Sequence, residues 1–107
     1  MSQNESFGST NSAMLITVYG EVKNVGFRRF VWRLAKTLNL NGYVENVLNE
    51  DCVRVYVEGC AEKLEELLSR ISTAGKAYGI TKMEVKEQIY TGKYSDFIIV
   101  RCVGEEI

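Results

Sequence analysis

Met14, Ile16 and Val18 alternate with Leu15, Thr17 and Tyr19. That period of two, in residues that favour extended backbone, predicts a strand. Gly20 to Gly26 is then a loop, and at Phe27 the period changes. Phe27, Phe30, Val31, Leu34, Ala35 and Leu38 recur at helical spacing, with Arg29, Arg33 and Lys36 off that face. The pattern predicts an amphipathic helix, with Trp32 at the margin closing the edge of the core. Asn39 suits the left-handed conformation that ends a helix. Gly42 to Leu48 reads as a second strand, and Asn49-Glu50-Asp51 as turn material. Val53, Val55 and Val57 alternate with Arg54, Tyr56 and Glu58, a third strand with one face buried and one polar. Ala61, Leu64, Leu67, Leu68 and Ile71 mark a second helix, stopped near Gly75. Further strands follow near Lys82 to Ile89 and from Phe97 to Val103. The order β-α-β-β-α-β with a fifth strand predicts an α+β, ferredoxin-like sandwich: two helices on one face of a mixed, mainly antiparallel sheet.

Composition narrows the class. A chain of 107 residues, 46% hydrophobic and 25% charged, supports one globular domain. That domain is expected over residues 14–107. Met1 to Ala13, rich in Ser, Asn, Gly and Thr, is expected to be a disordered tail because it buries too little surface to offset its ordering entropy. No apolar run approaches the roughly 20 residues of a membrane helix, and the N-terminus lacks the basic start and apolar stretch of a secretory signal. The absence of histidine excludes histidine triads, phosphohistidine relays and histidine metal ligands. Cys52, Cys60 and Cys102 have neither zinc spacing nor an even count, which points to small buried apolar residues in a reducing, cytoplasmic setting. A net charge of −1 gives no global attraction to nucleic acid or anionic membrane. Charged residues on both helices, with Glu84, Lys86 and Glu87 on the fourth strand, favour a monomer.

The junction of strand 1 and helix 1 breaks a local rule. Arg28 and Arg29 fall in the first helical turn, where the helix dipole disfavours each cation by roughly 0.3–1 kcal/mol. Lys23 adds a third positive charge. Backbone N–H groups, a dipole and a guanidinium gathered at one point make an anion site. Gly26 permits close approach of backbone to a ligand, and Asn24 tolerates unusual dihedrals. A solvated basic patch is the bland alternative. The predicted topology adds a second clue. Strands 1 and 2 run parallel with strand 3 between them, so Asn46 at the end of strand 2 lies about 10 Å across the sheet from the end of strand 1. An arginine and a short amide can meet over one small anion across that gap. Alone, Asn46 reads equally as a turn residue.

Val22-Lys23-Asn24-Val25-Gly26-Phe27-Arg28, followed by Gly42-Tyr43-Val44-Glu45-Asn46, resembles the acylphosphatase family. The resemblance runs from Met14 to Val103 and includes Val53-Arg54-Val55-Tyr56-Val57-Glu58-Gly59 and Tyr94-Ser95-Asp96-Phe97. It implies hydrolysis of carboxyl-phosphate anhydrides to a carboxylate and inorganic phosphate, with no metal, no other cofactor and no phosphoenzyme. By the same resemblance, Glu21, Val22, Lys23, Asn24, Val25, Gly26 and Phe27 cradle the phosphate through backbone N–H groups. Arg28 binds it with its guanidinium fork, and Asn46 holds the attacking water. Lys23-Asn24 stands where the family usually has Gln-Gly, so the cradle needs a conformation that Asn can take. The usual Asp-Gly turn after strand 2 is absent, and Asn39 replaces a common helix-ending glycine.

Two other readings share parts of this pattern. An RNA-recognition module has the same element order but needs aromatics across the open sheet face. A non-catalytic phosphate-binding domain would keep Arg28 but need not keep Asn46.

Overall fold

The computed structural model describes residues 10–22, 26–48 and 50–100. Among them, β1 (Asn11–Gly20), α1 (Phe27–Thr37), β2 (Asn41–Asn46) and β3 (Cys52–Cys60) come first. They are followed by α2 (Ala61–Ala74), a 3-10 turn (Gly75–Tyr78), β4 (Ile80–Gln88) and β5 (Phe97–Val100). The sheet order is β4-β1-β3-β2-β5. β1 and β2 each pair antiparallel with β3, so they run parallel to one another with β3 between them. β5 joins the outer side of β2 in parallel. This is the expected ferredoxin-like arrangement.

The predicted periods decide which face is covered. Ile16, Val18, Val44, Val53, Val55 and Val57 form one cluster with Phe27, Val31 and Leu34 of α1 and Leu64, Leu67 and Ile71 of α2. Full burial of such a side chain stabilises by roughly 1.5–3 kcal/mol. That exceeds the roughly 0.3–1 kcal/mol that each cation costs at the start of α1, so the helix forms there despite its charges. Trp32 sits at the core edge, as expected, and its Nε1 donates to the Phe97 carbonyl at 3.0 Å. Asn39 has φ 64°, the left-handed value its type allows.

Several boundaries differ from the sequence reading. Asn11, Ser12 and Ala13, assigned to the tail, belong to β1 and pair with Cys60, Gly59 and Glu58. Backbone pairing holds this polar stretch, so side-chain hydrophobicity did not reveal it. The rest of the expected tail, residues 1–9, lies outside the described residues. β2 stops at Asn46, short of Leu48, although the Val47 N–H still donates to the Cys52 carbonyl at 3.1 Å. Residues 101–103 of the expected fifth strand, Cys102 among them, lie outside the described residues, as does Asn49 of the expected turn.

Glu58 stands on the polar face of β3, as the alternation predicts, but it is not solvated. It is 1% exposed. β4 and β5 are opposite edges of the sheet, so residues 89–96 must pass from one edge to the other. Glu58 ties that passage to the open face. Its carboxylate accepts from Tyr56 Oη at 2.6 Å, Thr91 N at 2.9 Å, Thr91 Oγ1 at 2.7 Å and Gly92 N at 3.1 Å. Burial alone would raise its pKa, but these hydrogen bonds outweigh burial and hold it below the ordinary carboxylate value. Burial, then the bond to Glu58, pushes the Tyr56 phenol up to about 12. The Tyr94 ring lies over Tyr43 and Tyr56, with centroids 6.2 and 5.2 Å away. The aromatic surface that an RNA-recognition module would present is therefore capped by the chain itself.

Candidate active site

Both arms of the candidate site start from the same end of the sheet. Register across the strands aligns Asn46 of β2 with Val53 of β3 and Val53 with Val18 of β1. Asn46 therefore lies two strand spacings, about 10 Å, from β1 near its C-terminal end. It is 8% exposed and shares the helix-covered face with Val44. Its Oδ1 atom is buried. The turn-residue reading of Asn46 thus gives way to a buried amide at a strand end.

The loop between β1 and α1 is anchored at each end by a core side chain. Val22 is 1% exposed and Phe27 is fully buried. These two residues hold the ends of the loop by their side chains. Glu21 is exposed. The expected cradle residues Lys23, Asn24 and Val25 lie outside the described residues. Gly26 caps α1 with φ 84°, a left-handed value. An added Cβ there would meet nothing within 4 Å, so the requirement for glycine is conformational and not one of space. The Gly26 carbonyl accepts the first helical bond, from Phe30 N at 3.0 Å.

Arg28 is the second residue of α1 and Arg29 the third, in a first turn that holds no acidic residue and has no side-chain cap. The orphan N–H groups of that turn and the arginines share one sign. Arg29 is exposed, whereas Arg28 is half-buried with its Nη1 atom fully enclosed. The fold thus draws one of two adjacent arginines inward. α1 packs on β2, the strand that ends in Asn46, and on β5.

The entry to the loop is fixed by backbone. Gly20 N donates to the Asp51 carbonyl at 3.0 Å and Glu21 N to the Gly79 carbonyl at 3.3 Å. Gly20 has φ 130°, and a Cβ there would fall 2.1 Å from the Gly79 oxygen, so no larger residue fits. The exit is flanked by rings: Tyr78 meets Phe27 edge-on at 5.5 Å and Phe30 at 5.1 Å. Tyr78 had no role in the sequence reading. Its one signal was an aromatic between Gly75 and Gly79, just past the end of a helix. An open groove of about 660 Å³ lies beside the entry, lined in part by Tyr19, Gly20, Glu21 and Asp51. No group of His, Cys, Asp or Glu among the described residues could hold a metal ion. No described helix is long and apolar enough to cross a membrane.

The acylphosphatase family profile matches residues 14–99. The acylphosphatase of Thermotoga petrophila is 37% identical over 87 residues, covering 81% of this chain and 94% of that protein. The crystal structure of acylphosphatase from Bacillus subtilis superimposes with a TM-score of 0.76 at 28% identity, covering 83% of this chain and 98% of that one. A probable carbamoyltransferase HypF of Methanocaldococcus jannaschii is 34% identical over 80% of this chain but only 11% of its own length.

Proposed function

The chain belongs to the acylphosphatase family, and from that premise we propose that it hydrolyses acyl phosphates at the end of the sheet where α1 begins. The observation that carries this reading is that a half-buried Arg28 in a helix first turn and a buried Asn46 at the end of β2, two strands from β1 and parallel to it, belong to the same end of the sheet. A non-catalytic phosphate-binding domain has no need of that second residue.

In this reading the backbone N–H groups of Glu21 to Phe27 and the start of α1 hold the phosphoryl oxygens. The Arg28 guanidinium lies against two of them as a planar fork that stays charged at any working pH. Asn46 accepts a hydrogen bond from water and aims its oxygen at phosphorus, opposite the acyl oxygen. The P–O bond to the acyl group breaks as the water oxygen bonds to phosphorus. The carboxylate leaves with the bonding pair, and a water proton passes to a phosphoryl oxygen. Acyl phosphate dianion plus water thus becomes carboxylate plus dihydrogen phosphate. The leaving carboxylate is stable as an anion, so it needs no strong general acid, and a chain without histidine suffices. Positioning and charge stabilisation carry the rate, as phosphoryl transfer requires. The open groove beside Gly20 and Glu21 receives the acyl group and tolerates a range of them. We place the enzyme in the cytoplasm as a monomer.

The test is hydrolysis of benzoyl phosphate in ¹⁸O-water with EDTA present. The proposal expects metal-independent turnover with the label in phosphate. Label in benzoate would mean attack at carbon. Phosphate binding without turnover by folded protein would favour the non-catalytic reading.

A further inference from the structure

The loop between β1 and α1 has two ends, and two consecutive residues of a distant turn touch both. The turn is the 3-10 segment Gly75–Tyr78 with Gly79 as its left-handed cap, φ 75°. At the entry, Glu21 N donates to the Gly79 carbonyl, and Gly20 packs directly against that same oxygen. At the exit, the Tyr78 ring stands against Phe27, with Phe30 closing a three-ring group at centroid distances of 5.1 to 6.2 Å. Resting on the reading of Glu21 to Phe27 as a phosphate cradle, we infer that Tyr78 is a positioning residue for that cradle. It fixes the exit through Phe27 while its neighbour Gly79 fixes the entry.

The physical need is clear. Backbone N–H groups bind an anion well only when held within about 0.5 Å of the productive geometry. The Glu21–Phe27 loop contains Gly26, which gains entropy when released. Anchoring both ends to one turn fixes the span between them. Val22 and Phe27 pin the two ends into the core from the inside, and the turn braces them from the α2 side. Tyr78 is half-buried, so its ring serves as a plate beside Phe27 and not as central filling. It acts through Phe27 and not on substrate.

Three variants test this: Tyr78→Phe, Tyr78→Leu and, as a control, Leu64→Ala in the first turn of α2. Each is assayed on benzoyl phosphate below its own melting midpoint, with inorganic phosphate as competitive inhibitor. Tyr78→Leu keeps apolar bulk and loses the ring contacts. It is expected to raise KM and the phosphate inhibition constant together by about three- to tenfold, the worth of one or two aromatic pairs, with kcat changed less. Tyr78→Phe keeps the rings and should stay within about twofold of wild type on both. Leu64→Ala should lose stability and leave both constants in place. Unchanged phosphate inhibition in Tyr78→Leu would overturn the inference, as would an equal rise in Leu64→Ala. Wild-type protein that neither turns over nor is inhibited by phosphate would overturn the cradle reading itself, and this inference with it.

Discussion

Two regions of the molecule bury polar groups, and they do so in opposite ways. On the open face, Glu58 is a buried carboxylate surrounded by protein donors from β3 and from the passage between β4 and β5. The contacts to Thr91 and Gly92 join distant parts of the chain, and the expected product is stability. At the other region, polar groups stand at the ends of elements. Arg28 is in the first turn of α1, Asn46 is the last residue of β2, and Glu21 follows β1. Element ends supply unpaired backbone N–H groups and point them outward from the packed core. The first arrangement satisfies its carboxylate within the fold; the second gathers its polar groups at one end of the sheet. Sequence alone would have ranked the two by charge, yet burial is deeper for Glu58, 1% exposed against 8% for Asn46.

If this contrast is right, substitutions should separate activity from stability. The largest effect is expected from Arg28→Gln. It should lower kcat/KM for benzoyl phosphate by roughly 10³-fold, the size of a lost charge-stabilising contact. Its melting temperature should hold or rise, since a cation leaves the positive end of α1. Asn46→Ala should lower kcat by roughly 10²-fold and leave KM within about threefold, because a residue that orients water is felt mainly in the transition state. Steady-state kinetics on the two variants reads both outcomes. Glu58→Gln should do the reverse. Losing hydrogen bonds to a charged acceptor costs about 2 kcal/mol, which lowers the melting temperature of a domain this size by roughly 10 °C. Turnover measured well below that midpoint should be unchanged.

The smallest effect lies in the pH dependence. The Glu58 carboxyl sits below its ordinary value of 4.5 in the folded protein. The unfolded chain therefore binds its proton first, and stability rises with pH across that interval. The contribution is complete above the ordinary carboxylate range and is lost as pH falls through the lowered folded value. Thermal melts from neutral to acid pH should show a steeper loss in wild type than in Glu58→Gln. Equal slopes would remove Glu58 from the acid response.

Most of the frame could be read from the chain. The alternation of Met14 to Tyr19 and the apolar stripe from Phe27 to Leu38 each dictated an element, because the period alone tells which side is buried. Arg28 stood out because it broke the dipole rule, and Asn46 because the predicted topology carried it to the same edge. Both are candidates on the sequence alone, although their roles come from family resemblance and not from spacing. Glu58 was hidden. It alternates as a surface residue does, and its partners Thr91 and Gly92 lie more than thirty positions away in a stretch without periodicity. Asn11 to Ala13 were hidden because strand pairing is made by backbone, which composition does not report. Tyr78 was hidden for a third reason: its meaning depends on which loop the turn after α2 meets.

The most direct test sets Arg28→Gln beside Glu58→Gln, measuring benzoyl phosphate turnover and melting temperature on the same preparations. Arg28→Gln should lose turnover and keep its melting temperature, while Glu58→Gln should keep turnover and melt lower. Loss of turnover in Glu58→Gln at a temperature where it is fully folded, or retained turnover in Arg28→Gln, would contradict the division between the two regions.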